Sequence, residues 1–239
     1  MDIDENFIDC KCPCCGEAVS FTEHSARRVE KCPNCSVDLV VPGDGSEVAG
    51  KIPLPITTPR LVLRRLAPAD WKDLLDFLSD EELFQYVDNY PIGEKQVLEW
   101  LDADQHVRLT TPNTTFCLAI ELQPEGTVMG VVYLHFTDKS SRSQTTVSIY
   151  VSRKSQRQGV ASEALNAVLN FCFAGIGLHR VSASCDSRNS AASRLAEKVG
   201  MRREGELIKD RYLNGEWINT VLYALLNEEY GPPSAVPAP

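Results

Sequence analysis

No run of 18 or more apolar residues occurs in the chain, so no membrane-spanning helix is expected. Positive charge is also short: 24 Lys and Arg stand against 33 Asp and Glu, a net of −9, which argues against a broad nucleic-acid surface. The opening Met1-Asp2-Ile3-Asp4-Glu5 is acidic and has no apolar segment behind it, the reverse of a secretory signal, so a cytoplasmic location is expected. Neither G-x-G-x-x-G nor G-x-x-x-x-G-K-[ST] is present, which removes dinucleotide and P-loop readings. Internal repeats are absent too. What is present is the composition of a globular protein, 43% apolar and 24% charged, with length for one ordinary domain plus a small one.

Cysteine is plentiful, and its placement is informative. Six of the nine fall between Cys10 and Cys35, while Cys117, Cys172 and Cys185 sit singly in apolar runs. Clustering of this kind fits metal ligation in a reducing compartment better than a disulfide framework. Cys12-Pro13-Cys14-Cys15 and Cys32-Pro33-Asn34-Cys35 are two C-x-x-C turns sixteen residues apart. Each turn can aim two thiolates at one cation, so Cys12, Cys15, Cys32 and Cys35 are the predicted ligands of a structural zinc ion. Cys10 and Cys14 read as spare thiols, and His24 as a surface residue. Zinc binding, worth roughly 10–16 kcal/mol in comparable peptides, would be the main source of folding energy for so small a segment. Residues 1–45 carry nine acidic and four basic side chains, a net of −5, so this zinc ribbon lacks the basic face that nucleic acid requires. It is expected to dock on the rest of the chain or on a protein partner, or to act only as a stabilising appendage.

Composition places a proline-containing linker at 46–56, the main domain at 57–230, and a proline-rich, disordered tail at 231–239. In the main domain, Leu61-Val62-Leu63 reads as a strand, and Trp71, Leu74, Leu75 and Leu78 as one face of a helix. Val97, Leu98 and Leu101 mark a second helix. Strands follow at Thr115–Glu121 and Thr127–Phe136, joined by Gln123-Pro124-Glu125-Gly126, and then at Thr145–Val151. A helix carries Ala161, Leu165, Val168, Leu169 and Cys172. After it come a strand at Arg180–Cys185, a helix at Ala191–Val199 stopped by Gly200, and an Asn214-Gly215 hairpin joining Glu206–Leu213 to Trp217–Leu225. The expected fold class is α+β, a mixed sheet flanked by helices.

The stretch Ser152-Arg153-Lys154-Ser155-Gln156-Arg157-Gln158-Gly159-Val160-Ala161 holds three bases and no acid between a strand and a helix. Gly159 lets the backbone approach a ligand, and the helix that follows offers free N–H groups at its positive end. That combination suits a pyrophosphate.

Gln156 to Ala161 resembles the Q/R-x-x-G-x-G/A motif of the GNAT acetyltransferase superfamily. Thr58-Pro59-Arg60-Leu61-Val62-Leu63-Arg64 resembles the T-x-R-L-x-L-R opening of the branch containing the ribosomal-protein alanine acetyltransferases (RimJ/RimL-like). Gly177-Leu178-His179-Arg180-Val181, the segment Asn189–Met201 and Asn214-Gly215-Glu216-Trp217 are similar to further motifs of that branch, in the same order. The resemblance covers 57–230. It implies a mostly antiparallel GNAT sheet whose fourth and fifth strands splay apart. The backbone of Ile149, Tyr150 and Val151 would pair with the pantetheine arm of acetyl-CoA. Gln156, Arg157, Gln158, Gly159, Val160 and Ala161 would hold the pyrophosphate, and Asn189 would contact the cofactor. Arg194 would contact it too, or is simply a solvated helix residue.

The same resemblance implies direct attack of an amine on the thioester, with the oxyanion bound by the N–H of Val151 or Tyr150. Three positions depart from the pattern. Thr146 stands near an expected Glu base, Ala192 at an expected Ser, and Ala196 near an expected Tyr acid. An α-amine is roughly one-tenth neutral at pH 7, a lysine amine only about a few parts in ten thousand, so a site without a strong base favours a protein N-terminus as acceptor. Ser193, Asp186 and Tyr212 remain as proton carriers or as structural residues. His135 and His179 read as structural, and Phe171, Phe173 and Trp217 as core. The alternatives are a small-molecule (aminoglycoside or polyamine) acetyltransferase and a non-catalytic acyl-CoA-binding or scaffold domain whose ribbon recruits a partner.

Overall fold

A computed structural model describes residues 7–22, 25, 29–35, 38–41, 50–51, 54–88, 92–107, 109, 113–136 and 144–231. His24 and the tail beyond Gly231 lie outside the described residues.

The N-terminal part is built from short strands: β1 (Phe7–Lys11), β2 (Ala18–Thr22), β3 (Val29–Lys31), β4 (Asp38–Val40) and β5 (Gly50–Lys51). β1 pairs with β2, and β3, β4 and β5 form a second small sheet, both antiparallel. A core of six buried residues (Cys10, Cys12, Val19, Cys32, Leu39 and Val41) is too small to carry a fold alone. Within the segment expected to be a linker, Gly50 and Lys51 add a strand to this unit.

The main sheet has eight strands in the order β12-β13-β11-β10-β9-β8-β7-β6. These are β6 (Ile56–Thr57), β7 (Leu61–Arg64), β8 (Thr114–Leu122), β9 (Thr127–Phe136), β10 (Gln144–Val151), β11 (Arg180–Asp186), β12 (Arg202–Leu213) and β13 (Glu216–Leu226). Every neighbouring pair is antiparallel except β10 and β11. Helices α1 (Trp71–Leu78) and α2 (Glu94–Gln105) lie on one face, burying Leu74, Phe77, Leu78, Val97 and Leu101 against Cys117, Ala119, Val131 and Tyr133. Helix α3 (Val160–Asn170), the π-helical turn Phe171–Gly175 that continues it, and α4 (Ser190–Lys198) cover the other face. Burial of α1 follows its i, i+3, i+4 spacing, the pattern of a helix with one apolar stripe.

The strand and helix expectations hold to within a few residues, and β12 begins four residues earlier than expected. Trp217 corrects one reading. Phe171 and Phe173 are core, but Trp217 is 59% exposed, with its ring edge-on to Tyr212 at 5.5 Å. Its end of the hairpin extends past the rest of the sheet, because β11 pairs with β13 only from Thr220 onward.

Candidate active site

The parallel strands β10 and β11 pair only at Gln144↔Arg180, Thr145↔Val181 and Thr146↔Ser182. Beyond that point each follows its other neighbour, β10 staying with β9 as far as Val151↔Gly130 and β11 with β13 as far as Asp186↔Thr220. A gap therefore opens in mid-sheet, bordered by residues 147–151 and 183–186. Gly130 helps to hold it, since a Cβ there would lie 2.4 Å from the Tyr150 carbonyl oxygen. No side chain fits while β10 keeps this path.

Alternate residues of a strand direct their N–H groups to opposite edges. Ser152 N–H donates to the Met129 carbonyl at 2.7 Å, and the Tyr150 carbonyl faces Gly130. Tyr150 thus points its backbone at β9, while Ile149 and Val151 present theirs to the gap. Of the two amides expected at the oxyanion position, Val151 faces the gap and Tyr150 does not. The Tyr150 ring packs on Phe84 at 5.2 Å and Tyr133 at 5.8 Å.

The loop after β10 departs from its expected electrostatics. Arg153 is held by Asp80, at 2.5 Å from Nε, and by Glu82, while Lys154 pairs with Asp76 at 2.8 Å. Two of the three bases are thereby engaged by acids at α1 and just after it. Arg157 makes no ion pair among the described residues. Gln156 Nε2 donates to the Val151 carbonyl at 3.1 Å, tying the loop to the end of β10. Gly159 has φ +81°, in the left-handed region that glycine adopts without strain, and places the first turn of α3 with no side-chain cap. Its uncapped N–H groups open beside the end of β10.

A brace behind this loop was not foreseen in the sequence. Arg60 donates from Nη1 to the Gln158 carbonyl at 3.0 Å and from Nε to Glu163 Oε2 at 2.7 Å. Thr58 Oγ1 donates to Glu163 Oε1 at 2.6 Å. Burial would raise the Glu163 carboxyl, but the hydrogen bonds from Thr58 and Arg60 outweigh it and hold it below the ordinary range. The available signal was the T-x-R opening itself, together with a Glu one helical turn after Gly159.

Across the gap, Asn189 Oδ1 accepts from Ala192 N–H at 3.0 Å and so caps α4. Arg194 is exposed on that helix. The Ser193 hydroxyl lies 3.6 Å from Cys185 Sγ. Asp186 is buried and bidentate to Arg188, whose hydrogen bonds hold its carboxyl below the usual range, and Tyr212 is exposed on the hairpin. Asp186 stands at the border of the gap with both carboxylate oxygens engaged by Arg188. Thr146 Oγ1 meets Ser182 Oγ at 3.0 Å where the strands part.

In the N-terminal unit, the turns after β1 and β3 bring Cys12, Cys15, Cys32 and Cys35 together, with all four Sγ atoms within 4.8 Å of one another. Cys12–Cys35 measures 3.7 Å and Cys15–Cys32 3.8 Å. A tetrahedral ion with 2.3 Å bonds to sulfur requires edges of about 3.8 Å, so the donor set fits zinc. Backbone N–H groups of Cys15 and Cys14 bring the Cys12 thiol down to about 6, favouring the thiolate that a metal needs. Cys10 is buried beside the cluster and Cys14 is exposed.

Residues 60–202 match the family model described as acetyltransferase (GNAT) domain. The chain is similar to the uncharacterized N-acetyltransferase YnaD of Bacillus subtilis, 29% identical over 177 residues, covering 73% of this chain and 98% of that one. Its fold resembles the spermidine N-acetyltransferase of Vibrio cholerae solved with CoA and spermine, with a TM-score of 0.63, 20% identity and coverage of 72% and 98%. It also resembles the ribosomal L7/L12 alpha-N-protein acetyltransferase RimL solved with coenzyme A, with a TM-score of 0.64, 18% identity and coverage of 72% and 97%.

Proposed function

Because the chain belongs to the GNAT acetyltransferase family and is an N-acetyltransferase acting on amines, we propose that its acceptor is an α-amine, the N-terminus of a protein, with acetyl-CoA as donor. The observation that carries the acceptor reading is the chemistry of the gap's open face. On the α1/α2 side the strand residues beside the opening are Thr146, Ser148, Tyr150, Ser182 and Ser184, which are uncharged at neutral pH, and Asp186, a buried carboxylate already neutralised by its bidentate pairing with Arg188. A polyamine bears several positive charges and needs carboxylates along its path. A peptide N-terminus needs a slot beside the thioester and a way to shed one proton.

The donor's pyrophosphate would rest on the amides of Gln158, Gly159, Val160 and Ala161, with Gln156 and Arg157 beside it. Its pantetheine arm would run into the gap along Val151 and Ile149, and the acetyl end would reach Ile149, deepest in the opening. A backbone N–H there would bind the oxyanion as the amine attacks. Asn189 and Arg194 would border the arm from α4. Zinc on Cys12, Cys15, Cys32 and Cys35 would be structural. Val40 packs against the main core, which supports a ribbon that docks on its own catalytic domain.

The test is acetyl transfer from acetyl-CoA to a short peptide with a free N-terminus, to the same peptide with that terminus blocked and an internal lysine, and to spermidine. Preference for the free N-terminus is expected. Preference for spermidine overturns the acceptor reading and leaves the acetyl-CoA reading intact.

A further inference from the structure

Strands β9, β10 and β11 are interior to an eight-stranded sheet that carries helices on both faces. On the α1/α2 face, Thr146, Ser148, Ser182 and His135 are only half-buried, and Ser184 is exposed. Among the described residues, the helical cover stops short of them. A polar chain crosses this bare area: Thr115 Oγ1 to His135 Nδ1 at 2.9 Å, then His135 Nε2 to Ser148 Oγ at 3.3 Å. The imidazole also stacks on Tyr133, with centroids 6.0 Å apart and an interplanar angle of 21°. Thr115 and His135 are register partners on β8 and β9, and His135 is the register partner of Thr146, the last β10 residue joined to β11. Ser148 therefore lies at the mouth of the opening, one residue from Ile149.

One tautomer uses both contacts, with Nδ1–H donating to Thr115 and Nε2 accepting from the Ser148 hydroxyl. Burial pushes the His135 imidazolium to a lower pKa, so the ring is neutral at pH 7 with a free electron pair on Nε2. Resting on the acetyl-transfer reading above, we propose that Ser148 and His135 form the proton relay for the acceptor amine, in place of the carboxylate missing at Thr146. The amine approaches on the face that α1 and α2 leave open, since α3 covers the other.

The amine nitrogen forms the C–N bond to the thioester carbon, and its surplus proton passes to Ser148 Oγ. The Ser148 hydroxyl proton passes to His135 Nε2, so serine ends neutral and the imidazole becomes imidazolium. Collapse of the tetrahedral intermediate breaks the C–S bond. The departing thiolate takes up a proton, and the imidazolium releases one, which restores the starting state.

The experiment uses the full chain, with acetyl-CoA as donor and both a free-N-terminal peptide and spermidine as acceptors. Wild type, His135→Ala, Ser148→Ala and the double variant are compared for kcat, KM and calorimetric acetyl-CoA affinity. The relay predicts a fall in kcat of about a hundredfold or more in each single variant. Acetyl-CoA affinity should stay within about twofold, and the double variant should be no slower than the worse single one. Added imidazole should restore part of the rate of His135→Ala and none to Ser148→Ala. Single-variant rates near wild type, or affinity falling in step with rate, overturn the relay while leaving the acetyl-transfer reading in place. If His135→Ala does not fold, the smaller Ser148→Ala change decides on the same criteria. A wild type that acetylates neither amine fails at the acetyl-transfer reading, and the relay falls with it.

Discussion

Arg60 reaches from the start of β7 across to α3 and meets Glu163 at 2.7 Å, spanning 103 positions of chain. The same guanidinium holds the Gln158 carbonyl, so a single side chain fixes both the loop and the first turn of the helix behind it. The pair is half in solvent on the arginine side, so its contribution to stability is small. In the proposed acetyl-CoA site its effect is on geometry, since the amides around Gly159 would need to point the same way before a pyrophosphate arrives.

Glu163→Gln should therefore weaken acetyl-CoA binding by about three- to tenfold, with little change in melting temperature. Arg60→Ala should do the same, and the double variant should be no worse than the single ones, because both act on one brace. Calorimetric titration measures all three.

Much of this arrangement was legible in the sequence, because strand alternation, helix spacing and the two C-x-x-C turns are local patterns. Gly159 announced a close backbone approach before a helix, and Leu74 and Leu78 announced a buried helix face. Contacts that join distant segments were not legible. Nothing in Arg153 or Lys154 says that Asp80, Glu82 and Asp76 stand opposite, so the loop read as more basic than it is. His135 read as core packing because Val131 and Tyr133 share its face; Ser148 and Thr115 reach it only once β8, β9 and β10 are in register. Trp217 read as core because aromatic residues usually are, and only the overhang of its hairpin exposes it.

Gly130→Ala tests the gap. The added methyl would sit 2.4 Å from the Tyr150 carbonyl oxygen, so β10 must shift. A loss of about 1–3 kcal/mol in stability is expected, together with weaker acetyl-CoA binding. Chemical denaturation and calorimetry give the two numbers.

Asp104 is 3% exposed at the end of α2, and burial raises its carboxyl to about 6 against the opposing pull of Arg65. Arg65 Nη2 stands 2.9 Å from Oδ2, yet no aligned hydrogen bond reaches that oxygen among the described residues. A carboxyl with a raised folded-state value holds its proton more tightly folded than unfolded. Its favourable contribution is full below the unfolded value of about 3.9 and is lost as pH rises through about 6. At pH 7 the ionised group is a cost, so Asp104→Asn should stabilise by on the order of 1 kcal/mol there. The gain should shrink toward pH 4, as melting temperatures across that range would show.

Removal of zinc by a chelator, or Cys32→Ser, should unfold the N-terminal unit, whose own core is six residues. Metal analysis should find one zinc per chain in the wild type. Acetyl-CoA binding by the main domain should survive the loss, because Ile149, Val151 and the Gln158–Ala161 turn belong to the separate eight-stranded sheet and to α3.

The proposed acetyl-CoA site is the opened edge of β10 together with the uncapped start of α3. Its most direct test is a calorimetric titration of acetyl-CoA into zinc-loaded protein, with Gly159→Glu as the comparison. At φ +81°, with Arg60 Nη2 only 3.3 Å from where its Cβ would be, a glutamate strains the turn and puts negative charge in the proposed pyrophosphate site. Micromolar binding by the wild type, weakened at least a hundredfold in the variant, is the predicted result. Absent binding by the wild type, or equal binding by both, would contradict it.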